Sequence, residues 1–235
     1  MITIEKSGDI WVLNLGGSPK GDGTFENSFN PEFIAAMNHC LDEVESPSCS
    51  GLVTTSTGRV FSSGLDLSWL MVQEMDAMLE FMRSFYALLL RILTLPIPTV
   101  CAINGHAFGG GFLFSLAHDY RVMNENKGFI CMTEIDIGMP LTAPLNALIK
   151  EKLARRVVAK MMLEGCRFDA RQSLEDNVVD FIAPANKVLP LAMEKAVSVA
   201  SKGASAAFAQ IKYDVYENAA NSLKMHSLKM HPSNL

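Results

Sequence analysis

The sequence predicts an α/β fold that ends in a helical region, and three observations predict it. Short β-rich runs alternate with helices of 3.6-residue apolar periodicity between residues 10 and 134. Two glycine-containing segments, Ser63-Gly64-Leu65-Asp66 and Gly109-Gly110-Gly111, each follow a strand directly. From Leu145 onward, helical patterning dominates. With 49% of its 235 residues apolar, the chain can bury a full core as one domain, or as one domain with an appendage.

The elements follow in order. Residues 10–15 form a β-rich run, and residues 16–23 carry the Gly, Ser, Pro and Asp of a loop. A helix then starts at Asn30 as cap and Pro31 as first residue. Its apolar positions Phe33, Ala36, Met37, Cys40, Leu41 and Val44 share one face, and Pro47 to Gly51 ends it. Residues 52–55 read as a buried strand leading to the first glycine segment. A long Met-rich helix covers residues 73–95 and is closed by Pro96 and Pro98. The β-branched strand 99–103 runs into Asn104-Gly105-His106-Ala107-Phe108 and the three glycines, which open an apolar helix to Ala117. Strands follow at 120–123 and 128–134, and another at 178–182. Residues 189–224 read as two helices joined near Lys202-Gly203. A weak strand-strand-helix rhythm runs through the middle of the chain.

Bulk properties exclude several functions. The net charge is −5, and no Lys/Arg block lies along a helix face, so no nucleic-acid footprint is indicated. The five cysteines are widely spaced, without a CxxC pair or a nearby His at ligand spacing, and read as reduced, mostly buried thiols. The longest apolar stretch, 85–95, is too short to span a bilayer and is interrupted by Arg91. A strand pattern near the N-terminus leaves no room for a signal or transit peptide. The expectation is a soluble intracellular protein. The terminal Ser233-Asn234-Leu235 differs at one position from the peroxisomal Ser-Lys-Leu address, which points to the peroxisome, with the cytoplasm as the alternative.

Three glycines at a helix start cost conformational entropy, so a close backbone approach or a forced φ is their reason. Free N–H groups at such a start face whatever negative charge sits there. A nucleotide-phosphate loop would need GxGxxG or GxxxxGK[ST], and neither is present. In the first segment Gly64 permits a sharp turn that exposes the next N–H. Ser62 and Ser63 lack the GxSxG surroundings of a nucleophile.

Together FSSGLDL and INGHAFGGGFLFSLAHDYRV, in this order and at this separation, resemble the two oxyanion loops of the crotonase (enoyl-CoA hydratase/isomerase) superfamily. The resemblance covers nearly the whole chain. It implies a crotonase-type ββα spiral core over residues 1–185 and a C-terminal helical oligomerisation region over 186–235, assembled as homotrimers or homohexamers. It also implies an acyl-CoA substrate held along Ser63, Gly64, Leu65, Asp66, Leu67 and Gly110. The oxyanion donors fall on the backbone N–H groups of Leu65 and Gly110. No metal or redox cofactor is called for, because CoA arrives with the substrate.

The family's reactions differ in their acid/base residues. Hydratases use two glutamates. The first position falls on Leu113, which can neither activate water nor donate a proton, and the second falls on Glu134. A single carboxylate suits Δ3,Δ2-enoyl-CoA isomerisation, and the string EIDIG, the HDY after the second loop and the terminal tripeptide resemble the peroxisomal plant-type isomerases most. Rival implications are a hydratase or related lyase, and a catalytically idle acyl-CoA-binding homologue.

Several neighbours have two readings. Asp136 shares a face with Glu134 if the segment is extended, and otherwise is a hydrogen-bonding loop residue. His106 and His118 read as structural. Met71, Met75, Met78 and Met82 either line an acyl tunnel or pack in the core. Lys212 resembles a position that approaches the CoA phosphates.

Overall fold

The computed structural model describes residues 2–16, 26–45, 49–203 and 205–227. Most of the loop expected at 16–23, the helix stop at Pro47 and the Ser233-Asn234-Leu235 tail lie outside these residues. The chain opens with β1 (Thr3–Ser7) and β2 (Ile10–Asn14), paired antiparallel. β1 is an addition to the sequence reading. Nearly all of its residues are exposed, so it carries no buried face to signal it.

Next come β3 (Ser28–Phe29) and α1 (Pro31–Val44). The expected cap is in place, since Asn30 Oδ1 accepts from Phe33 N at 2.9 Å. The fully buried β4 (Gly51–Thr55) leads to β5 (Val60–Ser62), β6 (Gly64–Leu65), α2 (Leu67–Leu70) and α3 (Met75–Leu93). β7 (Thr99–Ile103) and β8 (His106–Phe108) precede α4 (Gly110–Leu116). β9 (Tyr120–Asn124) and β10 (Ile130–Cys131) precede α5 (Ala143–Lys152).

The chain continues with α6 (Arg155–Glu164), α7 (Ala170–Glu175), β11 (Phe181–Ala183), α8 (Val188–Ala200), α9 (Ala206–Val215) and α10 (Glu217–Ser227). Two expectations shorten here. The strand read at 128–134 is only Ile130–Cys131, and Glu134 begins a turn held by Met139 N donating to the Glu134 carbonyl at 2.9 Å. The strand read at 178–182 is Phe181–Ala183, with Val178 and Val179 buried just before it. Beyond Gly203 the single helix expected is split at Tyr216 into α9 and α10.

The strand-strand-helix rhythm has a spatial meaning. From β4 to α5 the first strand of each repeat (β4, β7, β9) enters a six-stranded sheet of order β1-β2-β4-β7-β9-β11, parallel from β2 onward, and the next (β5, β8, β10) enters a three-stranded sheet β10-β8-β5, while β3 pairs with β6. A helix then closes the repeat. Consecutive residues of the large sheet face opposite sides. Leu52, Cys101, Ile103 and Met123 join the main core with α1, α3, α4 and α10, whereas Val53, Val100, Ala102 and Val122 meet Val188, Ala192 and Ala196 of α8. Both faces are covered, which is why these strands read as continuous apolar runs rather than alternating ones.

Candidate active site

The three-stranded sheet assembles the site. β5 and β10 both pair with β8, and both pairings are parallel, so the C-terminal ends of all three strands point the same way. Gly64 follows β5 by two residues, Gly109 follows β8 by one, and Glu134 follows β10 by three. Residues far apart in sequence therefore meet at one edge.

Their approach is backbone to backbone. Gly64 has φ +97°, and a Cβ placed on it would lie 2.8 Å from the Phe108 carbonyl and 3.0 Å from Gly110 N. A Cβ on Gly110 would lie 3.2 Å from Leu65 N. Gly109 adopts φ 46°, ψ −117° as the residue before α4, a combination that side chains avoid. The first helical bond of α4 runs from Leu113 N to the Gly109 carbonyl at 3.0 Å. The N–H groups of Gly110, Gly111 and Phe112 thus precede its internal ladder.

Around this edge the remaining predicted residues have local duties. Ser63 N donates to the Glu26 carbonyl at 2.8 Å. Asp66 caps α2, its Oδ1 accepting from Trp69 N at 3.0 Å, and Leu67 is exposed at the first turn of α2. Ser62 is no nucleophile, because its Oγ donates to the Asn27 carbonyl at 2.7 Å and accepts from Gly64 N at 3.2 Å.

Glu134 stands over the start of α4. A Cβ on Gly109 would lie 3.0 Å from its Oε1, while its Oε2 is buried without a hydrogen-bond partner among the described residues. Burial raises its pKa above the usual carboxylate range, partly offset by backbone N–H groups of Glu134 and Thr133. Asp136 does not share its face. The turn swings the Asp136 carboxylate toward Gly165, where an added Cβ would lie 3.2 Å from Oδ2. Glu134 opens on a cavity of about 260 Å³ that is otherwise walled by Ile135, Gly138, Met139, Pro140, Leu141 and Met162.

The enoyl-CoA hydratase/isomerase family model matches residues 22–232. The chain belongs to this family. It is 32% identical to enoyl-CoA delta isomerase 3 of Arabidopsis thaliana, over 97% of this chain and 100% of that protein. It is also 32% identical to the peroxisomal enoyl-CoA delta isomerase 2 of the same plant, over 78% and 77%. Among solved structures, a Mycobacterium tuberculosis protein that is called a probable enoyl-CoA hydratase in one structure and an enoyl-CoA isomerase in another superposes, in the latter, with a TM-score of 0.86 at 26% identity, covering 96% of this chain and 95% of that one. An enoyl-CoA hydratase of Mycobacterium marinum gives the same TM-score at 23% identity, covering 96% of each. The crotonase fold is therefore shared alike by chains named isomerase and hydratase, and overall shape does not choose between the reactions.

Within that family fold, the other singled-out residues separate cleanly. Leu113 is in the core, 1% exposed. His118 is fully buried between the Phe114 carbonyl and Thr54 Oγ1, and burial pushes its pKa down to about 3. His106 accepts from Phe129 N at 3.2 Å and stacks on the Phe129 ring. Met78 and Met82 pack against the main core, whereas Met71 and Met75 are exposed, so the four form no continuous lining.

Lys212 overturns its expectation. It is buried in this chain, with Nζ donating to Asp119 Oδ2 at 2.8 Å and to the Ile97 carbonyl at 3.0 Å, and it ties α9 to the sheet instead of meeting phosphates. Sequence reasoning missed Met139, Leu141 and Met162 as cavity walls. Met162 reaches Glu134 only through the packing of α6, and no local pattern signals that.

Proposed function

We propose that this chain is a Δ3,Δ2-enoyl-CoA isomerase acting on unsaturated fatty acyl-CoA in β-oxidation, with Glu134 as its single acid/base residue. One observation carries the reading. A partly buried carboxylate with an oxygen unpartnered among the described residues stands over the start of α4, while the position of a second acid holds the core residue Leu113.

In this reading the thioester oxygen accepts hydrogen bonds from Leu65 N–H and Gly110 N–H. The Glu134 carboxylate removes a proton from C2. The electron pair left behind delocalises onto the thioester oxygen and through the C3=C4 bond to C4. The Glu134 carboxyl then returns the proton at C4, the carbonyl re-forms and a C2=C3 bond remains. Atoms and electrons balance without a co-reactant. An α-proton is too weakly acidic for a carboxylate unless the enolate oxygen is stabilised, and one preorganised donor is worth about 3–4 kcal/mol. A raised pKa on Glu134 brings base and carbon acid closer in strength. Hydration needs a second acid to position water, a role for which an alkyl side chain is unsuited.

Ultraviolet assays with 3-enoyl-CoA and 2-enoyl-CoA test this reading. An isomerase converts the first, a hydratase consumes the second, and an idle homologue leaves both unchanged. Loss of 2-enoyl-CoA at a rate exceeding conversion of the 3-enoyl isomer would reject the proposal. Exposed Ile135, Ile137 and Leu163 beside the site support a homotrimer or homohexamer, measurable by light scattering. Peroxisomal residence is supported by the likeness to the peroxisomal enoyl-CoA delta isomerase 2 and is tested by locating the tagged protein in cells, where exclusion from peroxisomes rejects it.

A further inference from the structure

Ser62 makes more contacts than the end of a strand requires. It closes β5 and is fully buried. The pairing of β5 with β8 slips here, from Val60 against His106 to Ser62 against Ala107. Phe61 is thus an extra residue, as in a β-bulge, and such a feature re-aims the side chains beside it. Asn27 accommodates the slip. Its Nδ2 donates to the Phe61 carbonyl at 2.9 Å, and its own carbonyl accepts from Ser62 Oγ at 2.7 Å. The same Oγ accepts from Gly64 N at 3.2 Å. With its proton and a lone pair both engaged, the hydroxyl is held in one orientation.

These bonds fall where the two oxyanion donors are built. Along the first glycine segment, Ser63 N and Asp66 N donate to the backbone carbonyls of Glu26 and Phe29, each at 2.8 Å. Gly64 N takes a side chain instead. The peptide that carries the Leu65 N–H therefore lies between two anchored peptides, and the anchor on its N-terminal side is Ser62 Oγ. Ser62 also meets the second segment. A Cβ on Gly111 would lie 2.7 Å from Ser62 Oγ and 2.5 Å from the Ser62 carbonyl oxygen, so the start of α4 rests directly on this residue.

We propose that Ser62 is a positioning residue for the site of the thioester oxygen. Its hydroxyl sets the tilt of the Leu65 N–H, and its contact with Gly111 sets the separation from the Gly110 N–H. The proposal rests on the enoyl-CoA reading, in which these two groups polarise the thioester carbonyl. Two measurements test it. Turnover of 3-hexenoyl-CoA gives kcat and KM. Difference infrared spectroscopy of bound hexanoyl-CoA, labelled with carbon-13 at its carbonyl, gives the thioester stretch, which hydrogen bonds to that oxygen lower.

Ser62→Ala keeps the Cβ and removes the hydroxyl. It should lower kcat by about tenfold or more with KM within about threefold, and return the bound stretch at least halfway to its value in free hexanoyl-CoA. Ser62→Cys retains a weaker donor and acceptor and should fall between the alanine variant and wild type in both readings; it carries the test where the alanine variant does not fold. An unchanged stretch in the folded variants, whatever their melting temperatures, would overturn the proposal. So would a wild-type stretch equal to that of free hexanoyl-CoA. If the wild-type protein converts no 3-enoyl-CoA yet lowers the stretch, and the Ser62 variants raise it again, the isomerase reading fails and the positioning role stands.

Discussion

Burial holds the Glu134 carboxyl above its usual range, and this affects catalysis and stability in opposite directions. The base must be ionised to take a proton, so kcat/KM should climb with pH through the raised pKa. Glu134→Gln should remove that limb and lower activity by about 10²–10⁴ while acyl-CoA binding persists. An active Gln variant would reject the assignment. For stability, the folded state holds its proton in a window where the unfolded chain, near 4.5, has lost it. The contribution of this group is therefore fully present below that value and is lost as pH rises through the folded pKa. Melting curves at pH 7.5 should place the Gln variant at or above wild type, with the gap closing in acid.

Gly64 makes the complementary case on the donor side. Gly64→Ala combines a φ of +97° with a Cβ 2.8 Å from the Phe108 carbonyl. It should cost more than about 1 kcal/mol of stability, and kcat should fall by about 10²–10³ as the Leu65 N–H shifts. A kcat within twofold of wild type would show that this N–H does not matter.

At the scale of elements, the C-terminal helices are held by chemistry as well as by apolar contact. Asp119 accepts from Thr99 N and Thr99 Oγ1 as well as from Lys212, so it joins the start of β7 to α9. Asp119→Ala leaves the Lys212 ammonium buried with only the Ile97 carbonyl and should cost about 3–5 kcal/mol. Lys212→Met should cost less, because Asp119 keeps its Thr99 donors and the methionine fits an apolar groove with Phe208 and Val199. Urea denaturation of the two variants checks the order. The β5, β8 and β10 trio acts differently, since its contribution lies in direction: three parallel exits bring two backbone donors and a carboxylate together.

Across the whole molecule, α10 packs on α3 and α5, and α8 covers the far face of the sheet. The join near the break between α9 and α10 gathers three cations, Lys152, Arg121 and Lys212, and two carboxylates, Asp119 and Asp180. Lys152 Nζ donates to the His118 carbonyl at 3.1 Å and sits 3.5 Å from the centre of the Tyr216 ring. Burial first, then the charge of Arg121, pushes its pKa down to about 7. Between about 7 and 10.5 the unfolded chain holds a proton that the folded state has released. Stability from this group thus rises with pH across that window. Lys152→Met should raise the melting temperature more at pH 6.5 than at pH 9.5, and an equal change at both would show that the ammonium is not strained by burial.

The sequence by itself determined the alternation of elements, the cap at Asn30, the strand at 99–103, the two glycine segments and the contrast of Leu113 with Glu134. These are local matters: periodicity, a φ only glycine tolerates, and the chemical nature of one side chain. Element ends were less legible, as at 128–134, because a turn and a strand end look alike where apolar residues continue past the last ladder bond. Only the tertiary structure decided that Glu134 stands over Gly109, that Asp136 turns away to Gly165, that Lys212 lies inside and that Met162 borders the Glu134 cavity. Each of those depends on pairing or packing between segments tens of residues apart, and such non-local contacts leave no periodic trace in either partner.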